Sequence, residues 1–264
     1  MGVVLNQCRA KVTKPRIAIV VPAYNEAASL PGVIATLQEV RQRRAEWRWS
    51  VVVVNDGSTD DTADVLARLA KKHPLTAIHC PVNIGIGGAV QLGFQVAAAW
   101  GADVTVQLDG DGQHPGEEIP TLVESVLAGR ADVVVGSRYS KGAGGGVSNR
   151  GRQLGTRLFS WLLRLVVGCK VKDVTSGFRA FGREAAVYVS RYYPDDYPEV
   201  ESYVPLLRAG FDIEEIPVRM SPRRGGRSSI SALLSPYYVV KVTLAVLIHL
   251  TRSIPKRKRR SRDT

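Results

Sequence analysis

The sequence predicts an α/β fold with a mostly parallel central sheet. Short, continuously apolar runs read as strands buried on both faces, as parallel sheets require. Helical stretches separate these runs one by one. The residues that follow the strands are polar and rich in Gly or Pro, as ligand-binding loops of such sheets are.

Taken in order, Ile17 to Val21 is a strand ending at Pro22, and Ala27 to Arg44 is helical. Val51 to Val54 is a fully apolar strand ending at Asn55-Asp56-Gly57. Asp60 to Lys72 is a helix, with Asp60, Asp61 and Thr62 as candidate caps. Ala77 to Cys80 is a strand and Ala89 to Trp100 a helix. Val104 to Leu108 is a strand, a helix follows from about Glu117 to Leu127, and Val133 to Val135 closes the series.

Asp109-Gly110-Asp111-Gly112-Gln113-His114 is the most informative strand end. Two carboxylates one residue apart repel each other unless a cation sits between them. Hard carboxylate oxygens suit Mg²⁺ or Mn²⁺, which commonly share their shell with substrate phosphates. An Asp-Gly turn explains the same dipeptides with no ligand at all. The other strand ends, Pro22-Ala23-Tyr24-Asn25-Glu26, Asn55 to Asp60 and Gly136-Ser137-Arg138, complete a set expected for a nucleotide. That set supplies a ring for the base, carboxylates for base and ribose, and a metal for the pyrophosphate.

The chain has 264 residues, enough for one large domain or two small ones. Cys8, Cys80 and Cys169 are widely spaced, form no metal pattern and suggest a reducing compartment. The first apolar run, Val3 to Leu5, is too short for a signal peptide. The net charge is +12, with Lys256, Arg257, Lys258, Arg259, Arg260 and Arg262 crowding the C-terminus. These cations are not interleaved with stacking aromatics, so no nucleic-acid partner is expected.

From about Ile17 to Ile230 the chain resembles the family 2 glycosyltransferases of GT-A fold, and within them the polyprenyl-phosphate sugar synthases. The residues that carry the resemblance are Val21 to Glu26, Asn55 to Asp60, Asn83 to Ala89, Asp109 to His114, Gly136 to Arg138, Thr175 to Arg179 and Arg223 to Ser228. The resemblance implies a nucleotide-sugar-binding sandwich. Pro22, Tyr24 and Glu26 would line the base and ribose, with Asp56 against the base and Gly110 beside the donor. Asp109, Asp111 and Gln113 would hold the metal. Arg138, Arg152 and Thr156 match positions that hold the acceptor phosphate, Asp111, Arg138 and Arg152 being the catalytic set. Arg223, Gly226 and Ser228 match a loop that closes over the donor. Two positions depart from the pattern: Ile86 and Ser229 stand where many relatives have Lys.

The implied reaction is metal-dependent transfer of a hexose, with inversion, from a nucleotide sugar to polyprenyl phosphate. The expected setting is peripheral, on the cytoplasmic face of the membrane. A soluble transferase with a saccharide acceptor is the alternative. The expected boundaries are an extension at 1–15, the transferase domain at 16–228, an interfacial amphipathic helix at 229–254 and a basic tail at 255–264. Val242 to Leu250 is about half of the ~20 residues that span a bilayer. Tyr237, Tyr238, Val239, Leu244, Leu247 and Leu250 are the expected apolar side of that helix, with the tail on an anionic membrane surface. Packing of the helix on the protein, or on a separate membrane-spanning partner, is the other reading.

Overall fold

The computed structural model describes residues 13–139, 150–220 and 236–257. Seven strands form one sheet in the order β3-β2-β1-β4-β6-β5-β7. They are β1 Arg16–Ala23, β2 Arg48–Asn55, β3 Thr76–His79, β4 Val104–Gln107, β5 Val133–Ser137, β6 Arg179–Gly182 and β7 Ile213–Pro217. All pairings are parallel except those of β6, which runs antiparallel between β4 and β5. The mostly parallel α/β sheet expected from the sequence is therefore present.

Helices α1 Leu30–Arg43, α2 Thr62–Lys72, α3 Gly85–Trp100 and α4 Ile119–Leu127 are the crossovers between the early strands. Strand alternation sorts the layers. Ile17, Ile19 and Val21 of β1 face a core shared with α1, α2 and α4. Ala18 and Val20 face Val90, Phe94 and Ala97 of α3. Each β1 residue from Ile17 to Val21 is fully buried, which is why that strand reads as a continuous apolar run.

The later elements, α5 Arg150–Val167, α6 Arg183–Val189, α7 Pro198–Glu201, α8 Tyr203–Ala209 and α9 Pro236–Thr251, follow β5 in the chain. Phe159 and Leu163 of α5, Tyr203 and Val204 of α8, and Val242 and Val246 of α9 share a further core. The described part of the expected 229–254 helix is α9; residues 229–235 lie outside the described residues.

The expected apolar side of that helix divides in two. Tyr238 packs its ring edge-on against Phe159 at 5.7 Å and Tyr197 at 4.7 Å. Val239 and Leu250 lean on the same core. Tyr237, Leu244 and Leu247 face outward. The helix is apolar around most of its circumference, so one face packs on the protein while apolar residues remain outside. Among the described residues no helix is long and apolar enough to cross a membrane.

The chain after α9 returns to the domain. Arg257 donates its backbone N–H to Ala209 O at 3.1 Å. Its guanidinium pairs with Asp132 and with Glu184 and lies over the Phe211 ring. Arg257, in the segment expected as a basic tail, anchors the chain to the domain; Lys258 to Thr264 lie outside the described residues. Arg257→Ala is expected to cost about 1–2 kcal/mol, between an exposed and a buried ion pair. Thermal unfolding should show a fall of several degrees in Tm, with far-UV circular dichroism unchanged at 25 °C as a reference temperature.

Candidate active site

The site gathers at the carboxyl ends of β1, β2 and β4. Pairing of β1 with β4, from Ile17 with Val104 to Val20 with Gln107, sets the loops after them side by side. Gly110 N–H donates to Pro22 O at 3.2 Å, and a Cβ at Gly110 would stand 3.1 Å from that oxygen. A side chain at this position would have to push the two loops apart by a few tenths of an ångström.

The loop after β1 is clipped to the loop after β2. Asn25, at φ 55°, accepts from the backbone N–H of Thr59 at 2.8 Å and of Asp60 at 3.3 Å. Glu26 is buried, its N–H donating to Thr62 Oγ1 and its carboxylate accepting from Ser29 Oγ at 2.6 Å. Pro22 is buried beneath, and the Tyr24 ring stands 47% exposed at the mouth. Asp56 accepts from Ile84 N–H at 2.7 Å, at the start of α3. Burial pushes its carboxyl up, against the backbone donors of Ile84 and Gly85.

Asp109 and Asp111 follow β4. Asp109 N–H donates to His114 Nδ1 at 3.0 Å, so the neutral ring carries its proton on Nε2, 3.5 Å from Asp109 Oδ2. The imidazole is held flat against Phe178, with centroids 5.3 Å apart. Asp111 is buried and accepts from Gln113 N–H at 2.9 Å, so Gln113 reaches this carboxylate through its backbone. Asp109 Oδ1 is buried and short of a well-formed hydrogen bond, while the Gln107 side chain lends the carboxylate a weaker one. Burial, then the neighbouring Asp111, push the Asp109 carboxyl above its usual range, opposed by His114.

That buried oxygen is what a divalent cation would satisfy. Among the described residues no group of three or more His, Cys, Asp or Glu side chains gathers as a metal cage. Two carboxylates alone fit an ion of the Mg²⁺ class, which completes its shell with water and substrate phosphate.

Arg138 and Thr156 are joined through Thr175. Arg138 Nε donates to Asp173 Oδ2 at 2.8 Å and Nη2 donates to Asp173 Oδ1 at 2.7 Å. Nη2 also donates to Thr175 Oγ1 at 3.0 Å, and Thr175 Oγ1 lies 3.1 Å from Thr156 Oγ1. Burial disfavours the charge on Arg138, but Asp173 more than offsets it and holds the pKa above the ordinary value. Arg152 lies on α5, one turn before Thr156, and its side chain is outside the described residues. Arg223, Gly226 and Ser228 also lie outside them.

Three residues of the site carry roles that the motifs alone did not reveal. Asp173 clamps Arg138; its only signal was its place two residues before Thr175. Gly177 brings the β6 approach so near that a Cβ would stand 2.9 Å from Asp109 Oδ2. Arg179, 1% exposed, donates to Ser176 O and Ser202 Oγ and places positive charge beneath Asp109. Glu201 of α7 faces His249 Nε2 of α9 at 3.2 Å.

The model for the family described as "Glycosyl transferase family 2" matches residues 18–188. An undecaprenyl-phosphate mannosyltransferase of Micrococcus luteus is 31% identical over 86% of this chain and 93% of its own length. A polyprenol monophosphomannose synthase of Mycolicibacterium smegmatis is 30% identical over 82% of this chain and 81% of its own. Among solved structures, glucosyl-3-phosphoglycerate synthase of Mycobacterium tuberculosis, with Mn²⁺, UDP and phosphoglyceric acid, superposes with TM-score 0.66. It covers 92% of this chain and 80% of that one at 23% identity, a likeness of fold. The sheet is the GT-A arrangement.

Two outcomes follow from this geometry. Mn²⁺ with a nucleoside diphosphate should raise the Tm of the wild type, by about 2.7 kcal/mol of stabilisation at a hundredfold excess over Kd. Asp109→Asn and Asp111→Asn should lose that rise in the same thermal-shift assay while remaining folded. Separately, Arg138→Ala strands Asp173, whose side chain is 0% exposed. It should cost about 3–5 kcal/mol in denaturant unfolding, and the Arg138→Ala/Asp173→Ala double variant should recover much of that loss.

Proposed function

The chain belongs to glycosyl transferase family 2, and on that premise we propose that it transfers a hexose from a nucleotide sugar to polyprenyl phosphate. The donor is of the GDP-mannose or UDP-glucose type, the metal is Mg²⁺ or Mn²⁺, and the setting is the cytoplasmic face of an anionic membrane. The observation that carries this reading is the buried Arg138–Asp173–Thr175–Thr156 cluster set against the Asp109–Asp111 pair. An oriented arginine with neighbouring hydroxyls near a carboxylate pair suits a phosphate on one side and a nucleoside diphosphate on the other. The two lipid-phosphate mannosyltransferases match the chain over most of its length.

Asp109 and Asp111 would hold the ion, and the ion would neutralise the departing diphosphate. Pro22, Tyr24, Glu26 and Asp56 form the nucleotide side. Arg138 enters the reaction already oriented, because Asp173 grips two of its nitrogens. With Arg152 and Thr156 it would place one acceptor oxygen in line with the anomeric carbon.

A lipid monophosphate is anionic near neutral pH, so its oxygen attacks without a protein base. The new C1–O bond forms as the bond to the nucleoside diphosphate breaks, and the electron pair leaves with the diphosphate. Attack from the opposite face turns an α-linked donor into a β-linked lipid phosphate. Positioning and charge neutralisation supply most of the acceleration. The loop of Arg223, Gly226 and Ser228 would close over the donor, with Arg224 or Arg227 supplying the cation that Ser229 lacks.

The test is a donor screen with the full chain and a short polyprenyl phosphate, reading product by mass and anomeric configuration. Transfer to a free saccharide with none to the lipid phosphate would replace this reading. Arg152→Ala should raise the KM for lipid phosphate about tenfold or more, the worth of one charge-assisted contact, and leave the donor KM nearly unchanged.

A further inference from the structure

Helix α5 carries an unexpected second face. Its inward side holds Thr156, Phe159 and Leu163, each at most 1% exposed. Its outward side holds Leu154, Leu158, Trp161 and Leu165, exposed by 59%, 38%, 62% and 71%. Spacings of four, three and four residues put these side chains on one stripe. A large aromatic and three leucines in a row in water is an unusual surface for a soluble helix.

The charges beside the stripe select its partner. Arg157 and Arg164 are exposed on the same helix, and Lys170 and Lys172 are exposed just beyond it. From Val133 to Lys172 the chain contains no Asp or Glu at all. An apolar stripe with a wide amphipathic aromatic, bordered only by cations, matches the boundary between acyl chains and anionic headgroups. A twofold contact between copies would set these arginines against each other with no carboxylate on the helix to relieve them. The exposed apolar face of α9, with Tyr237, Val240, Leu244, Leu247 and Ile248, is the rival surface: the one lysine within that helix, Lys241, is paired with Asp196 at 3.2 Å, and its exposed cations, Arg252 and Lys256, lie beyond its end.

We propose that the outward face of α5 is the surface by which this protein docks on an anionic bilayer. This rests on the lipid-phosphate acceptor reading and deepens it. Thr156 of the acceptor cluster lies on the inward side of the same helix, between Leu154 and Leu158 in sequence. Docking of α5 therefore brings the acceptor-phosphate pocket to headgroup depth while the lipid's chain stays among acyl chains. The C-terminal helix is then a brace that packs α7 and α8 from behind, and the bilayer contact belongs to α5.

The experiment measures binding of the full chain to phosphatidylcholine vesicles with and without phosphatidylglycerol, with no donor present. Trp161→Glu/Leu165→Glu should weaken partitioning to the anionic vesicles by roughly tenfold or more. Tyr237→Glu/Leu244→Glu on α9 should leave it within about twofold of wild type on the same scale. Independently of any fold damage, lipids brominated in their acyl chains should quench wild-type tryptophan fluorescence, and Trp161→Phe should remove that quenching. Binding that survives the α5 change and falls with the α9 change would overturn the proposal. So would a wild-type dimer that the α5 change dissolves while vesicle binding persists. The α5 variant should still turn over a short, water-soluble lipid phosphate. A wild type that docks but transfers to no lipid phosphate would undo the functional reading and leave the docking result standing.

Discussion

The pairing of β4 beside β1 is the constraint on which the site depends. β2 lies on one side of β1 and β4 on the other, so the strand order reverses there and leaves a crevice at the carboxyl ends. The loops after both strands then have to share that crevice, and Gly110 against Pro22 O is where they touch. The neighbouring loops are tied in beside this contact. Asn25 ties in the loop after β2, that loop presents Asp56 to the start of α3, and His114 folds back over Asp109.

Charge is distributed around the crevice in an order that physical chemistry explains. Asp109 and Asp111 crowd together, and one Asp109 oxygen lacks a well-formed hydrogen bond. Arg179 is hydrogen-bonded by carbonyls and a hydroxyl, and its positive charge is felt by Asp109 as well as by Glu199 and Asp173. Arg138, by contrast, is gripped by a fully buried carboxylate. Two buried arginines near one carboxylate pair thus have different uses. The first steadies a negative site from below, while the second is a fixed donor whose geometry Asp173 sets. Such pre-arrangement spares the reorganisation that water would need as charge develops.

The acceptor side is built from a different principle. β6 enters between β4 and β5 in the opposite direction and carries Gly177 and Arg179 up to Asp109. α5 then lies with one face in the core and the other outward. Because a helix turns by about 100° per residue, a single element can place Thr156 in a buried cluster and Trp161 in the surroundings. Helix α9 also has an inward and an outward face, and its inward face packs as a brace, with Glu201 and His249 facing each other across the contact.

The first half of the chain was legible from the residues alone because local pattern and burial agree there. Ile17 to Val21 and Val51 to Val54 are apolar because both sheet faces are covered, so strand, layer and loop all follow from sequence. The carboxylate pair was equally visible, since Asp109-Gly-Asp111 needs no partner to be recognised as a charge conflict. β6 escaped because Arg179 and Gly182 break its pattern: it is a strand only because β4 and β5 flank it. β7 hides likewise behind Glu214 and Glu215, which hydrogen-bond Ser125 and the backbone of Asp173. Asp173, Arg179 and Arg257 owe their environments to residues tens of positions away, so only the folded chain could decide whether each charge is solvated, paired or buried. The sequence determined the first five strands, the loops at their ends and the chemistry they carry. Tertiary structure decided which charges meet and which apolar faces stay outside, because contact across the chain is a property of packing and not of local pattern.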